Sequence, residues 1–119
     1  MLKLVLFFYV DRIKVVMNGS FSPLGLYLHI PWCVTRCIYC DFNTYIGGED
    51  ALKARYHAAV LREISEAGAA LDRPALNTIF MGGGTPTTLP PGQLTELVNA
   101  IKSTFAGRPV IMCPDWPRR

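Results

Sequence analysis

The stretch LGLYLHIPWCVTRCIYCDFNTY, residues 24–45, changes character at its midpoint. Up to Ile30, apolar and other residues alternate: Leu24, Leu26, Leu28 and Ile30 against Gly25, Tyr27 and His29. A period of two predicts a β-strand with one apolar face and one face carrying Tyr27 and His29. Pro31 ends the alternation, and residues 32–48 read as a loop. Three cysteines fall in that loop, Cys33, Cys37 and Cys40, with the spacing C-x3-C-x2-C. Three such close cysteines cannot all pair with one another in a disulfide framework. In a reducing compartment the clustering reads as metal binding or catalysis.

Beyond the loop, Leu52, Tyr56, Val60, Ile64 and Ala67 recur at spacings of three and four, which predicts a helix from residue 49 or 50 to about 67. Glu49 and Asp50 suit its N-terminus, and Gly68 is a plausible stop. His57 and the charges of Arg62, Glu63 and Glu66 read as its solvent face. The run Thr78, Ile79, Phe80, Met81 predicts a short buried strand, and Gly82, Gly83, Gly84, Thr85 and Pro86 follow it as a loop. After Pro90 and Pro91 a second helix is expected, with Leu94, Leu97, Val98, Ile101 and Phe105 on one face. Strand, loop, helix, strand, loop, helix is the opening of an α/β fold with a parallel sheet. Ligand sites in such folds lie beyond the C-terminal ends of the strands, so the cysteine loop and the glycine loop are predicted to meet there.

The chain has 119 residues, enough for one domain, and half of them are hydrophobic, a globular composition. The net charge of +3 is spread along the chain without a basic stripe, which gives nucleic-acid binding little support. Residues 4–10 are apolar, but Asp11 and Arg12 interrupt them well short of the roughly 20 residues a bilayer span requires. Residues 1–22 read as an N-terminal extension, 23–105 as the core, and 106–119 as an atypical tail in which residues 110–112 could begin a strand. A cytoplasmic location is expected.

Three thiolates suit a [4Fe–4S] cube whose fourth iron stays open for a small ligand. The motifs carry a closer likeness. The stretch quoted above, together with MGGGTPTTL at residues 81–89, resembles the radical SAM proteins of the heme pathway: the oxygen-independent coproporphyrinogen III oxidases and the related heme chaperones. The resemblance implies the first βα units of a partial TIM-like barrel. It implies that Cys33, Cys37 and Cys40 ligate the cluster, and that Tyr27, Tyr39, Gly83, Gly84 and Thr85 contact S-adenosylmethionine. Trp32 is expected to pack over the loop and shield it from water. Asp41 and Phe42, after the third cysteine, resemble the chaperone branch, whereas the oxidase branch resembles Cys-Gly-Cys-Asn there. Heme or a porphyrin as ligand and an electron donor as partner follow from the same likeness.

Bland readings stand beside these. Tyr27 could be a core tyrosine, His29 an interior histidine, and the glycines a flexible turn. The cysteines could hold structural zinc, with Cys113 as a fourth ligand. Family members are several times longer, and the sequence after Phe105 departs from theirs. It reads as a shifted frame or an early stop, in which case Cys113 is accidental. Two strands and two helices leave apolar faces uncovered, so an isolated chain of this kind is expected to be marginally stable and inactive.

Overall fold

The computed structural model describes residues 24–41 and 44–112. The N-terminal extension, Phe42, Asn43 and Cys113 lie outside the described residues. Strand β1 (Gly25–Ile30) leads through β2 (Trp32–Cys33) and β3 (Tyr45–Ile46) into helix α1 (Asp50–Ala70). Strand β4 (Thr78–Gly83), a 3-10 turn (Pro86–Thr88), helix α2 (Pro91–Thr104) and strand β5 (Val110–Met112) follow. The main sheet has the order β1-β4-β5, all parallel, with Tyr27 opposite Phe80, His29 opposite Gly82 and Thr78 opposite Val110.

The alternation in β1 has the predicted consequence. Leu26, Leu28 and Ile30 are buried and join Ile79 and Met81 of β4 in one core with Tyr56, Val60 and Ile64 of α1 and Leu94, Leu97 and Ile101 of α2. Both helices therefore cover the same face of the sheet. Full burial of a side chain such as Leu28 contributes about 1.5–3 kcal/mol of transfer free energy. The opposite face carries Tyr27, His29 and Phe80, all half-buried. Because spatial order follows chain order and the helices share one side, the sheet advances as a barrel wall does. A doubly wound sheet would reverse direction and place helices on both sides.

Several sequence expectations shift. Helix α1 runs past Gly68 to Ala70, and Gly68 is buried inside it. A Cβ there would collide with Cγ2 of Thr104, so the residue marks where α1 and α2 touch, not a helix stop. Leu52 is 45% exposed. Steps of four residues turn the apolar stripe by about 40° each, and at the first turn of α1 it has rotated off the sheet. His57, expected on the solvent face, is only 7% exposed because it faces α2 and meets Glu96 there at 2.9 Å.

Residues 106–112 are tied into the fold. Leu76 N–H donates to the Ala106 carbonyl at 2.9 Å, and Val110 N–H to that of Asn77 at 2.9 Å, before β5 pairs with β4. Arg73 donates to the Thr104 and Ser103 carbonyls at 2.9 and 2.5 Å, satisfying groups that the end of α2 leaves without helical partners. Val110, Ile111 and Met112 remain exposed.

Truncating Leu28 to alanine is expected to cost about 2–5 kcal/mol, whereas Leu52→Ala should stay within about 0.5 kcal/mol. Urea denaturation of the two variants, followed by circular dichroism, measures both.

Candidate functional site

The two unusual loops meet at the C-terminal ends of β1 and β4. Gly84 N–H donates to the Ile30 carbonyl and Thr85 N–H to the Trp32 carbonyl, each at 2.7 Å. The Thr85 hydroxyl lies 3.9 Å from the Cys33 sulfur, and the Thr88 hydroxyl lies 3.5 Å from the Trp32 carbonyl oxygen. Chain chemistry explains both glycines. Gly83 has φ +106°, a region disfavoured for residues with a Cβ, and a Cβ there would strike the His29 ring. A Cβ on Gly84 would lie 2.5 Å from the Trp32 carbonyl oxygen. The glycine loop is thus what lets its backbone close onto the strand that enters the cysteine loop.

The cysteine loop is anchored at its base and open above. Strands β2 and β3 pair in parallel, supported by Tyr45 N–H to the Pro31 carbonyl at 2.7 Å and Gly47 N–H to the Cys33 carbonyl at 2.8 Å. Trp32 is buried beneath the loop, edge-on to Tyr56 at 5.9 Å, so it packs in the core at the loop's base. Above that base Val34, Ile38 and Tyr39 are exposed, Ile38 and Tyr39 within a turn in which Cys40 N–H donates to the Cys37 carbonyl at 3.0 Å. Arg36 donates to the Cys40 carbonyl at 3.3 Å. All three cysteines are free thiols: Cys37 is exposed, and Cys33 and Cys40 are half-buried. Cys40 also lies 3.9 Å from the hydroxyl of Thr44, a neighbour that nothing in the sequence singled out.

On the sheet face opposite the helices Tyr27 stacks on Phe80 at 5.8 Å, and its hydroxyl meets Nδ1 of His29 at 3.0 Å. Partial burial raises the Tyr27 pKa. Tyr39 is also raised, through its contact with the Cys37 side chain. Tyr56 reaches across from α1, its hydroxyl donating to the His29 carbonyl, and burial pushes its pKa up to about 12. Sequence periodicity placed Tyr56 on the buried helix face but carried no sign of this bond.

Among the described residues, no group of three or more His, Cys, Asp and Glu side chains is gathered closely enough to hold a single metal ion. A cube makes a different demand, because its thiolates bind separate iron corners and not one centre. Three unpaired thiols in one loop fit the donor chemistry of such a cube.

The family profile of the radical SAM superfamily matches residues 27–114, most of the chain. The chain belongs to the radical SAM superfamily. Within that superfamily it is 42% identical over 98 residues to a protein named heme chaperone HemW from Mycobacterium tuberculosis, covering 79% of this chain and 23% of that one. It is 36% identical over 81 residues to the protein of the same name from Escherichia coli, covering 68% of this chain and 21% of that one. It is also 42% identical over 82 residues to the oxygen-independent coproporphyrinogen III oxidase of Pseudomonas aeruginosa, covering 68% of this chain and 18% of that one. The radical SAM chain therefore spans about a quarter of the length of the first of these relatives and less of the others. No solved structure matches it.

Folding favours the protonated Tyr56 phenol, so its contribution to stability is intact below pH 10.0, the ordinary value, and is lost as pH rises to about 12. Replacing Tyr56 with phenylalanine is expected to remove that alkaline loss and to cost about 1 kcal/mol at neutral pH, the worth of one hydrogen bond. Urea midpoints of both proteins between pH 7 and pH 12 test this.

Proposed function

We propose that this chain forms the cluster-binding end of a radical SAM protein of the heme-chaperone type. The observation that carries the reading is the junction of the two loops, where Thr85 stands against both the Trp32 carbonyl and the Cys33 sulfur. In this reading Cys33, Cys37 and Cys40 hold three irons of a [4Fe–4S] cluster. Tyr27, Tyr39, Gly83, Gly84 and Thr85 contact S-adenosylmethionine. When bound, the cluster and S-adenosylmethionine supply one-electron cleavage of the sulfonium.

The chain's own part is positional. The β2–β3 base fixes Cys33, while the turn above it leaves Cys37 and Cys40 able to rotate onto a cube. The half-buried glycine loop, with no Cβ at residues 82–84, lets the amino-acid end of a ligand come close to its backbone. Heme or a porphyrin is the ligand we assign to the whole protein, with an electron donor as partner and the reducing cytoplasm as location. Among the described residues, no helix is long and apolar enough to cross a membrane. The identity with the Pseudomonas oxidase favours a second reading, decarboxylation of porphyrinogen propionates. Asp41 after the third cysteine weighs toward the chaperone.

Anaerobic reconstitution with iron and sulfide is expected to load about four of each per chain and to fail when the three cysteines become alanine. Zinc uptake without sulfide would defeat the reading. Hemin titration and a porphyrinogen turnover assay on the whole protein separate chaperone from oxidase: a Soret shift without turnover is the expected result.

A further inference from the structure

The three thiols are not equivalent. Cys33 sits on β2, its carbonyl bonded to Gly47 and its sulfur beside the Thr85 hydroxyl. Cys37 and Cys40 belong to the open part of the loop and occupy the two ends of one hydrogen-bonded turn, closed by Cys40 N–H on the Cys37 carbonyl at 3.0 Å. A turn of this kind brings its end Cα atoms within about 7 Å. Disulfides span Cα separations of about 4.4–6.8 Å. Cys37 is exposed, so an oxidant can reach it, and Cys40 is next in line across the turn.

We infer that Cys37 and Cys40, when no metal centre holds them, form a reversible disulfide on exposure to a disulfide oxidant, and that this bridge gates loading of the site. The inference rests on the cluster reading for its consequence, though not for its chemistry. The oxidant is a small disulfide of the glutathione class. The Cys37 thiolate attacks one sulfur of glutathione disulfide, forming a mixed disulfide and expelling one glutathione thiolate. The Cys40 thiolate then attacks the Cys37 sulfur, forming the intramolecular bond and expelling the second glutathione. The protein loses two electrons and two protons, which leave as two glutathione thiols. Two of the three ligand sulfurs are then bonded to each other and cannot bind iron. A dithiol reductant reverses the exchange. Cys33 stays outside because it belongs to β2, fixed by its pairing with β3, and not to the turn that joins the other two.

The test uses the full, metal-free, reduced chain. On incubation with glutathione disulfide, the thiol titre should fall from four to two, since the sequence holds four cysteines. Tryptic cleavage after Arg36 separates Cys33 from the peptide carrying Cys37 and Cys40, so mass spectrometry should find that peptide alone lighter by two hydrogens. Cys33→Ala should keep the bridge, and Cys40→Ala should stop at the glutathione adduct. A titre that stays at four, stable adducts in the unsubstituted chain, or a bridge using Cys33 or Cys113 overturns the inference. Iron and sulfide uptake is then measured before and after the dithiol. Recovery only after reduction supports the gate, and full uptake while the bridge is intact overturns it. A reduced chain that takes up no iron defeats the cluster reading instead, leaving the mapped bridge to be judged by its own result.

Discussion

Everything at the functional end of this chain depends on one backbone contact, the closure of the glycine loop onto the residues that follow β1. Two parallel strands place their C-terminal ends side by side, but the loops leaving them would ordinarily diverge. Here the Ile30 and Trp32 carbonyls accept the N–H groups of Gly84 and Thr85. That closure is possible because position 84 lacks a Cβ. An added methyl would meet carbonyl oxygens of both Trp32 and Ile30, which are backbone atoms that cannot swing aside. From this contact follow the burial of Pro86, the start of the 3-10 turn, and the placing of the Thr85 hydroxyl near Cys33.

The same contact divides the cysteine loop into a fixed part and an adjustable part. Its base is built like a folded core, with Trp32 buried between Tyr45 and Tyr56 and a short parallel ladder across the neck. Above the neck, Val34, Ile38 and Tyr39 gain nothing from burial. Polar contacts shape that region instead, among them the turn bond from Cys40 N–H to Cys37, the Arg36 guanidinium on the Cys40 carbonyl and the Thr44 hydroxyl beside the Cys40 sulfur. A loop ordered by packing would resist adjustment, whereas one held by its neck can let its sulfurs follow a bound group at little cost to the rest of the fold.

How much of this could be read in advance varies with the range of the interaction. The alternation of residues 24–30 gave β1 and its buried face because period two is a local property. The order of elements gave the parallel sheet and the meeting of the two loops, because parallel neighbours leave their C-terminal ends together. His57 and Leu52 went astray for a shared reason. Helical spacing says which residues share a stripe but not where a second helix will lie against it. The pairing of His57 with Glu96, 39 residues apart in sequence, exists only once both helices are docked. Gly68 misled in the same way: a glycine near the end of a pattern suggests a stop, and the role of close contact with Thr104 needs the partner helix to be known. The role proposed for the cysteines rests on motif, and their differing exposure was not legible because it depends on the β2–β3 neck.

The uncovered face of the sheet follows from the helices lying together on the other side. Tyr27, His29 and Phe80 are too large and too apolar to be an ordinary solvent face, yet the described residues leave them half-exposed. In a barrel wall that face looks inward, toward the strands that complete the ring. Relatives more than four times as long as the matched region have room for such strands. Tyr56 links this face to the helical layer through the His29 carbonyl. The backbone beneath the tyrosine–histidine pair is thus held from the core side, while the rings above it are positioned by each other and by Phe80. A face fixed from behind and open in front suits the ligand contact proposed for Tyr27, because its geometry is set before anything binds and burying its remaining apolar surface would favour binding.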